Sequence, residues 1–424
     1  MAAQTLAQKL IARACHRDAV AVGEIVTCDV DLAMFHDSSG PRRLKPMLDK
    51  LGARIWDKSK VVLVMDHYVP EEDDDSRRIL KIARDWAREQ QLPHVYDSIG
   101  ICHVVLPQKG HLRPGMFCVG GDSHSPTGGA FGAYMFGIGS TEMLGVVVTG
   151  KIWIKTPQTI AMHWSGRLAE GVTAKDMMLH MTGLYGSNGA NYSAIEYTGT
   201  AVAALSMQER MTLSNMSAEL GAQAGLIAPD ETTREYLHSM GVEVDTDMDY
   251  WRTDDDADCE IRRFDASALS PMVAAPHSPA NVHPVEDLRG TPVQIAYIGA
   301  CTGAKLDDLR AAAEVLKGRR IDPGVRLMVA PATLRDQQDA QQEGIMDTLV
   351  NAGAQVFATS CGACSGYGNA LAGASNVISS TARNFKGRMG SADTNVYLAS
   401  PYTVAASAVL GHIADPRDIL AEAR

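Results

Sequence analysis

The chain has 424 residues, 46% of them hydrophobic, too many for one core and enough for two or three packed units. Its formal charge of −11, with no dense Lys/Arg run, opposes general attraction to nucleic acid or anionic membranes, so an anionic ligand needs a local cationic pocket. Aromatic residues are only 6% while glycines number 38, a balance that favours an α/β class over an all-β sandwich.

At the N-terminus, Leu6, Leu10 and Ile11 stand at helical spacing, interrupted by Gln8, Lys9 and Arg13, which predicts a helix and not a secretory leader. The most apolar later stretch, residues 144–154, is short and contains Lys151, so no membrane span is expected and the protein is placed in the cytoplasm. There, eight cysteines read as reduced thiols or metal ligands. Cys15, Cys28, Cys102, Cys118 and Cys259 each stand alone and are expected to be small buried hydrophobes.

Val61 to Met65 predicts a buried strand that ends at Asp66-His67, and polar residues beyond a strand's C-terminal end mark where α/β sites form. The acidic run 71–75 then leads into a helix carrying Ile79, Leu80, Ile82, Ala83 and Trp86, with its acids at the positive helix end. Phe117 to Gly121 predicts another strand, followed by Asp122-Ser123-His124 and by glycines at 129, 132, 137 and 139. Those glycines match neither a dinucleotide-binding nor a Walker loop, so no nucleotide site is assigned. Four prolines between Ser267 and Gly290 predict a linker and a domain boundary. Beyond it, Val293–Gly299 and Ala354–Thr359 predict strands that run into Cys301 and Cys361, and a last helix is expected through Leu410, Ile413 and Leu420.

Cys361-Gly-Ala-Cys364 is a C-x-x-C pair with a third thiol at Cys301. The pair alone suits a redox couple or half a zinc site, and the lack of a second pair weakens zinc. Three thiolates can also hold three corners of a cubane iron–sulfur cluster and leave the fourth iron open as a Lewis acid.

Gly299-Ala-Cys301-Thr-Gly, Cys361-Gly-Ala-Cys364-Ser-Gly and Arg383-Asn-Phe-Lys-Gly-Arg388, in that order, resemble the cluster loops and arginine loop of the aconitase superfamily. Asp66-His67, His103 and Gly121-Asp122-Ser123-His124 match its N-terminal motifs, and Ala194-Ile-Glu196-Tyr resembles its central glutamate motif. The resemblance implies a [4Fe-4S] cluster on Cys301, Cys361 and Cys364 with one open iron, in a hydro-lyase that dehydrates and rehydrates a 2-hydroxy-dicarboxylate. His67, held by Asp66, is then the acid for the departing hydroxyl, a role suited to imidazole. His103 and Glu196 are implied to act together around iron-bound water, while Asp122, His124 and Ser123 line the same cavity. Arg383 and Arg388 are the carboxylate anchors, each offering a planar fork.

The sequence departs from the family pattern at Ala300, at Thr302-Gly303-Ala304-Lys305 where Thr-Asn-Gly-Arg is usual, and at Ala382 where Asn is common. Outer hydrogen bonds tune metal centres, so these changes bear on cluster stability and substrate choice. The resemblance further implies three α/β domains, about 1–158, 159–285 and 286–424, with the superfamily's mobile fourth domain supplied by a separate small subunit. Among substrates, 3-isopropylmalate leads, with 2,3-dimethylmalate, maleate or citraconate, and homoaconitate as alternatives. A cluster-sensing RNA-binding role is disfavoured by the acidic charge, and an electron carrier needs neither an open iron nor acid–base groups.

Overall fold

A computed structural model describes residues 3–244, 246–367, 371, 373 and 375–422. The N-terminal helix spans Leu6–Ala14 and begins in a capping box, in which Thr5 accepts from the Gln8 backbone and Gln8 returns the bond. Val61–Met65 forms a strand buried at all five positions, as expected where both faces of a parallel sheet are covered. The acidic run caps the helix Asp74–Gln90 through Asp73, with Asp74 and Asp75 in its first turn.

Among the described residues three larger sheets organise the chain, beside a two-stranded antiparallel pair of Ile25–Asp29 with Lys151–Lys155. The first is fully parallel and runs in the order His94–Asp97, Val61–Met65, Leu32–His36, Phe117–Gly120, Tyr134–Gly137. A second parallel sheet orders Ala224–Leu226, Ala194–Thr198, Thr159–Ser165 and Glu260–Asp265. The third has seven strands: Val282–Pro284, Met272–Ala274, Asn395–Leu398, Asn376–Ser379, Ile295–Ile298, Arg326–Val329 and Gln355–Val356. Its first two strands pair antiparallel, and Met272–Ala274 is also antiparallel to Asn395–Leu398.

The expected linker is therefore part of a sheet. Its prolines flank two three-residue strands, and Pro284 sits on the edge strand, where a missing donor is tolerated. The strand expected over 354–359 shortens to Gln355–Val356, leaving a loop before Cys361. The last expected helix is two, Pro401–Leu410 and Pro416–Glu422, broken at Gly411 in the left-handed region. Of the five solitary cysteines, Cys28, Cys102 and Cys118 are buried, whereas Cys15 and Cys259 are half-buried.

The interiors are continuous across the sheets. Cys301 and Ala332 pack with Leu32, Met34 and Val64 of the first sheet, while Tyr297 and Val377 pack with Met177 and Tyr197 beside the second. The backbone of residues 99–101 bonds to Ala332 and Leu334, bringing the C-terminal strand ends of the first and third sheets together. Among the described residues no helix is long and apolar enough to cross a membrane.

Candidate active site

Three adjacent strands of the first sheet end in acidic or imidazole side chains: His36-Asp37, Asp66-His67 and, past Gly120-Gly121, Asp122. Placing them on neighbouring parallel strand ends converges them without long loops. Asp37 accepts the backbone N–H groups of Asp66 (3.3 Å), His67 (3.1 Å) and Tyr68 (2.7 Å), which sets the turn that presents His67. One oxygen of the fully buried Asp66 meets His67 Nδ1 at 2.7 Å, and the other accepts from the Cys102 backbone at 2.7 Å, at the start of the helix that carries His103.

Asp122 sits among four imidazoles. Its Oδ1 lies 2.7 Å from His103 Nε2 and accepts the His124 backbone N–H at 2.8 Å, while its Oδ2 is 3.8 Å from His36 Nε2 and 3.9 Å from His67 Nε2. The His36 and His67 rings stack at 3.8 Å. Burial opposes charge on His67, yet Asp66, Asp37 and Asp122 outweigh it and push its pKa up to about 10, so the ring holds its proton at neutral pH. His36 is pushed down to about 3 by burial and by the neighbouring His67, and its two ring nitrogens find no hydrogen-bond partner among the described residues. The stack is thus one charged and one neutral ring. Burial also opposes charge on Asp122, but His103 and His124 hold it well below the usual carboxylate range.

The three motif cysteines come from two loops of the third sheet, with Cys301 after Ile295–Ile298, Cys361 at the N-cap of the helical turn Gly362–Ser365 and Cys364 within it. All are free thiols. The Cys301 thiol is pushed up to about 12 by burial and then by Cys364, while Asn215 Nδ2 donates to its sulfur at 3.1 Å. Cys364 is pulled below the usual thiol range, chiefly by a hydrogen bond from Cys361 and, against burial, by Arg388, His124 and Arg383. Three thiols in mutual electrostatic contact, one favouring thiolate, beside cationic side chains, form a donor set that fits an iron–sulfur cluster.

The sequence departures have local causes. Ala300 occupies the left-handed region at φ 69°, an uncommon place for a residue with a side chain. A Cβ at Gly303 would come within 2.2–2.6 Å of Ser380, whose hydroxyl ties to the backbones of Gly299 and Gly303. That contact leaves no room for the family's usual asparagine. Ala382 is buried, and the next amide, Asn384, donates to the carbonyls of Ala274, Ala275 and Val396.

Arg383 Nε donates to Glu219 at 2.8 Å and its terminal nitrogen to Ser123 at 3.0 Å. Arg388 Nε is buried with no hydrogen-bond partner among the described residues. Both arginines, with His36, His67, Asp122 and Ser123, line a cavity of about 470 Å³. Such a cavity can grip a small dianion and place it against an imidazolium, with Ser365 of the C-x-x-C loop in its wall.

Eleven of the twelve expected site residues surround this region; Glu196 does not. It is the third residue of Ala194–Thr198, accepts from Thr253 and is pushed up to about 7 by burial, with Lys9 its charged neighbour. The carboxylate beside the imidazoles is Glu219, 3.0 Å from His124 Nε2 and bonded to Arg383. Burial opposes its charge, but these two partners hold it below the usual range. Sequence reasoning also missed Asn215, His36, Asp37 and the exposed Arg43 that lines the cavity. Two signals were present: Asn215 and Glu219 stand four apart just before Gly221, and His36-Asp37 ends an apolar run as Asp66-His67 does.

A family model described as "Aconitase family (aconitate hydratase)" matches residues 8–411. The 3-isopropylmalate dehydratase large subunit 1 of Methanopyrus kandleri is 43% identical over 98% of this chain and 100% of its own length. The corresponding large subunit of Desulfatibacillum aliphaticivorans is 39% identical (98% and 99% covered), and the probable one of Methanothermobacter thermautotrophicus 42% (97% and 98%). Among solved structures, holo-form aconitase X of Thermococcus kodakaraensis superposes with a TM-score of 0.51 over 84% of each chain at 12% identity, a likeness of fold.

Proposed function

The chain belongs to the aconitase family and is a hydro-lyase, and from that premise we propose that it is the large subunit of a two-chain dehydratase acting on 3-isopropylmalate. The observation that carries this reading is a cavity lined by His67, which Asp66 holds, by Arg383 and Arg388, and by Ser365, the neighbour of Cys364 in the C-x-x-C loop.

The family implies a [4Fe-4S] cluster, and Cys301, Cys361 and Cys364 are the residues that would hold it. When bound it supplies a Lewis acid through the iron that no cysteine ligates. Arg383 and Arg388 hold carboxylate, with Glu219 and Ser123 fixing the Arg383 fork. His67, kept protonated by Asp66, gives its Nε2 proton to the departing hydroxyl. Asp122 holds His103 and His124 in place beside it. A separate small subunit, as the relatives' names imply, completes the site with the base that takes the carbon-bound proton.

The three α/β units are proposed to divide near residue 158 and ahead of Met272, since Met272–Ala274 and Val282–Pro284 join the third sheet. A cytoplasmic setting suits eight free cysteines. A second substrate reading has its own support: among the described residues Ile138 is the one apolar side chain lining the cavity, and Arg43 adds a third guanidinium. Such a lining suits a compact dicarboxylate such as maleate or citraconate unless the small subunit supplies an apolar wall.

The test is anaerobic cluster reconstitution followed by assay on a hydroxyacid panel, with and without the small subunit. The expected result is a cluster-loaded chain that turns over 3-isopropylmalate only when the small subunit is added. Full turnover by the purified chain alone overturns the split site, and exclusive turnover of maleate or citraconate selects the second substrate.

A further inference from the structure

Two lysines are buried behind the cysteine loops. Lys175, in the helix Ala174–Tyr185, is 2% exposed, and Lys305, at the cap of Leu306–Leu316, is 1% exposed. Lys305 Nζ donates to the carbonyl of Cys301 at 3.1 Å, to Thr212 Oγ1 at 3.0 Å and to the Asp308 carboxylate at 2.6 Å. Lys175 Nζ donates to the carbonyls of Ser380 at 2.5 Å and Thr381 at 2.7 Å, and to Thr302 Oγ1 at 3.4 Å. Each ammonium thus has partners for its three donors, and together they clasp the Cys301 loop and the start of the arginine loop.

Hydrogen bonds to carbonyls do not by themselves account for two charges. A neutral donor could serve the same oxygens, whereas burying an ammonium is costly without an anion. Among the described residues Asp308 is the one carboxylate bonded to the pair, through Lys305. Lys175 has no bonded carboxylate among the described residues; burial pulls its pKa down to about 8, with Lys305 adding to that and Asp308, Cys364 and Cys301 opposing it. Counted with Asp308, the pair leaves one excess positive charge behind the Cys301 loop, whose carbonyl Lys305 holds. A [4Fe-4S]2+ core on three thiolates carries net negative charge, and Lys305 stands where the family usually places arginine.

We propose that Lys175 and Lys305 form a paired counter-charge for the cysteine-held cluster, raising its reduction potential and so protecting it from oxidative loss. The proposal rests on the cluster reading. The lysines act as positioning and electrostatic residues and not as catalytic ones. Net charge and nearby dipoles set the potentials of such clusters, and in the interior two cations are weakly screened.

The experiment compares wild type, Lys175→Met, Lys305→Met, the double variant and Asp308→Asn, reconstituted anaerobically and titrated potentiometrically with EPR detection. Either methionine should shift the potential negative, the double variant further, and ferricyanide should bleach these clusters faster than wild type. Asp308→Asn removes the opposing anion and should shift the potential positive, which a simple packing defect does not produce. Unchanged potentials in fully loaded lysine variants, or a negative shift in Asp308→Asn, overturn the proposal. If the methionine variants do not fold, the sign of the Asp308→Asn shift decides. A wild-type chain that takes up no cluster refutes the cluster reading itself, a result separate from any shift among variants.

Discussion

The backbone N–H of Cys361 donates to the backbone carbonyl of Asp66 at 2.9 Å, so the C-x-x-C loop is fastened to the residue that holds His67. Because this bond uses main-chain atoms, replacing the thiol leaves it intact. Serine at Cys301, Cys361 or Cys364 should leave circular dichroism near wild type and abolish cluster absorbance. A variant that loads iron and sulfide normally removes that cysteine from the ligand set.

His67 gives a pH signature. Its pKa in the fold, about 10, lies above its ordinary value, so its contribution to stability is complete below about pH 6.5 and is lost as pH rises through about 10. The contribution is on the order of a few kcal/mol for a shift of this size. Activity should fall over the upper part of the same window as the acid is lost. In Asp66→Asn the His67 midpoint, followed by NMR, should drop, since Asp66 is its strongest attractive partner. An unmoved midpoint detaches Asp66 from that role.

Arg383→Lys keeps a cation and loses the fork shared between Glu219 and Ser123. Substrate affinity in the assembled enzyme should weaken by about 1.5–3 kcal/mol, the range for a charged hydrogen bond, with the fold retained. Unchanged kinetics place Arg383 outside the site.

The two central glutamates make opposite predictions. Glu219→Gln disturbs both His124 and Arg383 and should cost on the order of 10–100-fold in activity or cluster retention. Glu196→Gln can still accept from Thr253 and should leave kcat and KM near wild type. The reverse ranking in steady-state assays returns Glu196 to the site.

What the sequence disclosed depended on whether chemistry sits beyond a strand end. Val61–Met65 reads as a strand from its apolar run, and Asp66-His67 follows it directly, so both the element and the site were legible. The cysteine and arginine motifs were legible because their spacing is local. Glu196 misled because it lies within a strand, where the outcome depends on which neighbours pair with it. Glu219 follows a helix in a 3-10 turn, and its partners His124 and Arg383 are 95 and 164 residues away. The 267–290 stretch failed for a related reason: three-residue strands carry almost no periodicity, and only their partners define them.

The clasp between Asn384 and the carbonyls of Ala274 and Ala275 bears on how this protein can be cut and rebuilt. A fragment starting at residue 286 would contain every motif cysteine and both arginines, and so looks self-sufficient on paper. It would lack the strand that Asn384 grips, leaving Arg383 and Arg388 on a loop anchored at one side only. Truncations, chimaeras and circular permutants should therefore keep residues 272–284 with the segment that follows, and a junction at the proline-rich stretch would uncouple substrate recognition from an otherwise complete set of thiols.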